Sequence, residues 1–71
     1  MPAGLNIIKG LHMLHQMIEL ETEAEKEQNL YRRECLLRSA LLYASWLISD
    51  RGSADFRRIR EKLLNTVKEE A

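Results

Sequence analysis

Residues 30–50 read LYRRECLLRSALLYASWLISD, and this stretch decides the fold. It holds neither proline nor glycine, the main breakers of regular structure, and is built mostly from good helix formers. At helical spacing, Leu30, Leu37, Leu41, Ala44 and Ile48 form one seam, and Leu36, Ala40, Tyr43 and Leu47 form a neighbouring one. Tyr31, Cys35, Leu42 and Trp46 fall on the other side of the same helix. A helix that is apolar nearly all round is normally buried all round. The rest of the chain has too few residues to cover it, so the surplus predicts a partner.

Outward from this helix, the chain divides twice. On the C-terminal side, Asp50-Arg51-Gly52-Ser53 reads as a stop and restart at residues 50–53: Gly52 suits a left-handed helix end and Ser53 an N-cap. A third helix is expected over 54–69, with Phe56, Ile59, Leu63 and Val67 on one face and Leu64 at its edge. On the N-terminal side, a first helix is expected over residues 6–24, capped by Asn6. Its apolar positions Ile7, Leu11, Leu14 and Ile18 make a coiled-coil-like seam, and Met13, Met17, Leu20 and Ala24 lie beside it.

The segment joining the first two helices is acidic, with Glu19, Glu21, Glu23, Glu25 and Glu27 against Lys26. Like charges four residues apart weaken an isolated helix. Thr22 and Glu25 fit a capping box, and Asn29 could cap a new start. A bend over residues 24–29 is favoured over one continuous helix, which would run about 65–70 Å from residue 6 to residue 50. Two antiparallel helices can cover each other's apolar faces.

Seventy-one residues make one domain, residues 1–71, with a marginal core. Cys35 is the only cysteine, so no disulfide can form within the chain, and a lone thiol in an apolar run reads as a small hydrophobe. The eleven basic and eleven acidic residues cancel, which removes the simplest electrostatic case for a nucleic acid or membrane partner. The first residues lack the basic start and apolar run of a signal peptide. Arg38 interrupts the richest apolar window, well short of the roughly 18 residues of a membrane span. A cytoplasmic setting is expected.

Three groups of residues carry a possible chemistry. His12, His15 and Glu19 share a helix face at metal-ligand spacing, but zinc wants four ligands and no further histidine exists, so no metal is expected. Cys35 has Arg32, Arg33 and Arg38 nearby, which favour a thiolate, yet a positioned base and an oxyanion site are missing from the pattern. No enzyme activity, small-molecule substrate or cofactor is expected. Arg57, Arg58, Arg60 and Lys62 cluster on the third helix, after a turn, as in dimeric nucleic-acid-binding regulators, while Asp50, Asp55 and Glu61 dilute the patch. Pairing of that basic face with the acidic segment, in the same chain or another, is the simpler account.

The expected fold is therefore all-α: a helical hairpin or three-helix unit, antiparallel and packed like a coiled coil, completing its core by dimerisation or partner binding. The expected function is that of a protein-interaction module, an adaptor, co-chaperone or inhibitor that buries an apolar helix face against a protein or a second copy. Leu30, Tyr31, Leu37, Leu41, Leu42, Trp46 and Ile48 are the expected contact residues. The alternative is a dimeric nucleic-acid-binding regulator using the basic third helix.

Overall fold

The structure, a computed structural model, describes the backbone of residues 3–47 and 50–71 and the side chains of residues 10–47 and 54–71. Three helices and no strand occur among the described residues: α1 (Ala3–Lys26), α2 (Leu30–Trp46) and α3 (Asp50–Glu70). The bend expected over 24–29 is a three-residue connection at residues 27–29, and its boundaries follow from local chemistry. Asn29 caps α2: its side-chain oxygen accepts the Arg32 backbone N–H at 3.0 Å. Arg33 reaches back across the connection and donates from Nε and Nη2 to the Glu27 carbonyl at 3.0 and 2.7 Å, satisfying an acceptor left over at the end of α1. Thr22 is no cap. Its hydroxyl donates to the Ile18 carbonyl at 2.8 Å, one turn back inside α1.

The second boundary lies earlier than the sequence signals placed it. α2 ends at Trp46, and Leu47 turns to extended backbone (φ −87, ψ 91) while its N–H bonds the Ala44 carbonyl at 3.2 Å. Gly52 and Ser53 are residues of α3, not the turn, and no glycine among the described residues has positive φ. Glycine is tolerated near a helix start as well as past its end, so the dipeptide alone did not fix which side of the turn it occupied. α3 runs to Glu70, and α1 begins at Ala3 rather than at residue 6.

α2 is the central element and packs along its length on both α1 and α3. The core consists of Met17 and Ala24 from α1, Leu37, Ala40 and Ala44 from α2, and Ile59 from α3. Leu14, Leu20, Leu36, Leu41, Tyr43, Leu47, Phe56 and Leu63 are partly buried around it. Two alanines on α2 leave room for its neighbours to approach. The faces used differ from the seams expected. On α1 the Met17/Ala24 row is inside, while Leu11 (61% exposed) and Ile18 of the coiled-coil-like seam face outward; Ile7 lies outside the described side chains. On α3, Val67 is exposed, whereas Asp55 and Thr66 are buried.

A match of charge accompanies that choice of face. α1 and α3 run parallel, and Glu21 and Glu25 of α1 meet Arg58 and Lys62 of α3 in the same order along both helices. The expectation that the basic face pairs with the acidic segment holds within this chain for Arg58 and Lys62. The acidic segment, though, is not solvated throughout: Glu21 is only 8% exposed.

Candidate interaction surface on α2

Successive residues of an α-helix turn by about 100°, so Tyr31, Cys35, Leu42 and Trp46 fall within an arc of about 60°. The buried Leu37, Ala40 and Ala44 occupy the opposite side of α2. With α1 on one flank and α3 on the other, that arc faces outward: Tyr31 is 68% exposed, Leu42 57% and Trp46 58%, and Cys35 is an exposed free thiol. Exposed large apolar residues scattered singly mean little, but four side chains on one helical stripe form a patch.

The stripe lies on a well-anchored helix. Its helix is capped by Asn29, clamped by Arg33, and packed on two neighbours. Tyr43, half-buried against the core, meets the Trp46 indole edge-to-face, with ring centroids 5.6 Å apart and planes at 82°. Such a pair fixes the indole's orientation. The Ser45 hydroxyl donates to the Leu42 carbonyl at 2.7 Å and so presents no free donor beside the stripe. Arg38 flanks it and lies 3.5 Å from the Glu34 carboxylate.

The remaining expected contact residues are distributed differently. Leu37 is fully buried and belongs to the internal core. Leu30 and Leu41 are half-buried, and Ile48 lies outside the described residues. The outward stripe thus keeps Tyr31, Leu42 and Trp46 and adds Cys35. The signal for Cys35 was present, since it shares their side at helical spacing.

The basic residues of α3 separate into two pairs. Arg58 donates to both oxygens of Glu21 (Nε to Oε2 at 2.9 Å, Nη2 to Oε1 at 2.8 Å) and to Asp55 Oδ1 at 2.7 Å. Lys62 bridges Glu21 and Glu25 at 2.7 and 2.6 Å, relieving the repulsion between those carboxylates. The hydrogen bonds from Arg58, with those from Lys62, outweigh the desolvation of Glu21 and draw its carboxyl down to about 2. The same bonds hold Arg58 and Lys62 above their ordinary values against the opposing effect of burial. Arg57 and Arg60 are exposed.

His12 and His15 are both exposed. His15 Nε2 lies 3.6 Å from Glu19, and no cluster of three metal-binding side chains occurs among the described residues. No helix among the described residues is long and apolar enough to cross a membrane. No protein-family model, curated protein or solved structure matches this chain.

Proposed function

We propose that the chain is a small protein-interaction module that works by burying the outward stripe of α2 against another polypeptide helix. The observation that carries this reading is the exposed row Tyr31–Cys35–Leu42–Trp46 on a helix whose other side already fills the core. Aromatic residues dominate interface hot spots because they bury large area at little cost in side-chain entropy. A second apolar helix laid along the row would cover it in the helix-in-groove manner. The role requires no metal, cofactor or catalytic group.

Nucleic-acid binding by α3 is the weaker reading. Affinity for phosphate grows with the number of cations that can release counterions. Arg58 and Lys62 are already held by Glu21, Glu25 and Asp55, which leaves Arg57 and Arg60 of the four.

A photo-crosslinking amino acid at position 42 of the full chain, expressed in its host, tests the module. An adduct with a polypeptide is expected, and Trp46→Glu should reduce it at least tenfold, given that hot-spot truncations cost about 2 kcal/mol or more. Absence of any adduct, or an adduct indifferent to Trp46→Glu, would overturn the reading.

A further inference from the structure

We propose that the polypeptide covering this stripe is a second copy of the chain, packed antiparallel about a two-fold axis that passes between Arg38 and Ser39. The inference rests on the interaction-module reading and names its partner.

The stripe is its own complement. Its positions 31, 35, 42 and 46 have the same spacing read in either direction. Turning a second α2 end over end therefore sets Tyr31 against the partner subunit's Trp46 and Cys35 against the partner subunit's Leu42. Large rings meet at both ends, and a small side chain meets a larger one on either side of the axis. A parallel arrangement would stack like on like, leaving a gap where two cysteines meet and crowding where two indoles meet. Two-fold interfaces need one self-complementary patch, and this row provides it.

Charge and area agree. The chain carries no net charge, so two copies approach without long-range repulsion. The Arg38 side chains would lie near the axis, but each has Glu34 of its own chain at 3.5 Å to offset it. From the exposed parts of Tyr31, Leu42 and Trp46, with Cys35 and the arginine stems, the pair would bury on the order of 1,000 Å². That is the lower limit for a specific interface, so association should be concentration-dependent rather than permanent.

The arrangement predicts which thiols can bridge. In the antiparallel pair, the two position-39 residues are offset by only about 1.5 Å along the helix axes, whereas the two Cys35 residues are offset by about 10 Å. Disulfides need Cα atoms within about 7 Å. Under mild oxidation at about 100 µM, the full-length Cys35→Ser/Ser39→Cys chain should convert mostly to covalent dimer while the native chain does not. Sedimentation equilibrium should show a reductant-independent dimer of the native chain. Leu42→Glu should weaken it at least tenfold, with circular dichroism reporting retained helix.

Three results would overturn the proposal: a native chain that stays monomeric at several hundred micromolar, a dimer indifferent to Leu42→Glu, or Cys35 bridging in preference to position 39. If the chain is monomeric yet position 42 still crosslinks to a different protein, self-pairing falls and the module reading stands.

Discussion

Glu21 shows how much one side chain can organise. Both of its oxygens accept hydrogen bonds from α3, and its carboxyl is drawn from 4.5 to about 2. Because the folded value is the lower one, the associated stability is complete above about pH 4.5 and is lost as pH falls towards 2. Arg58 is nearly half exposed, so water competes for the pair and its worth is reduced to about 1–2 kcal/mol. Glu21→Gln should cost about that much at pH 7, and should flatten the stability profile between pH 5 and pH 2, in urea melts of native and variant chains. The sequence did not single this residue out. Glu19, Glu21, Glu23 and Glu25 alternate with nothing local to rank them, and only the position of α3 selects Glu21 for burial. That cations of α3 would pair with the acidic segment was legible from charge alone, but not that Arg58 and Lys62 would be the ones.

At the level of elements, chemistry confined to a few neighbouring residues was read correctly where one signal acted alone. Asn29 stands at the head of an uninterrupted helical run, and it caps α2. Asn29→Ala removes the acceptor for the Arg32 N–H and should destabilise the chain by about 1 kcal/mol, visible as a lower urea midpoint with unchanged slope. Where two signals competed, the pattern could not choose. Thr22 and Glu25 have capping-box spacing, but the apolar row through Ala24 holds α1 intact past them to Lys26. Gly52-Ser53 has the composition of a turn, yet α2 stops at Trp46 and the pair falls inside α3. Residues 46–50 hold neither proline nor glycine, so no short window marks that end.

For the whole molecule, the excess of apolar surface on α2 was legible from composition and spacing. Which parts of it would be inside was not. Adjacent seams differ by less than half a turn, and the choice between them depends on where α1 and α3 settle. The ion pairs joining those two flanking helices are compatible with one choice only, the one that has Met17 and Ala24 inside, on the side of Glu21, and Leu11 outside. Trp46, the one tryptophan, therefore lies on the outer surface rather than in the core. Its fluorescence is a reporter of that surface. In dilute solution, chemical unfolding should shift the emission maximum little, because the indole already faces water, while the helical circular dichroism signal collapses. Concentrating the folded chain should shift the emission to the blue as the indole is covered. Light and ellipticity would then follow different events in the same tube, one tracking association and the other tracking folding.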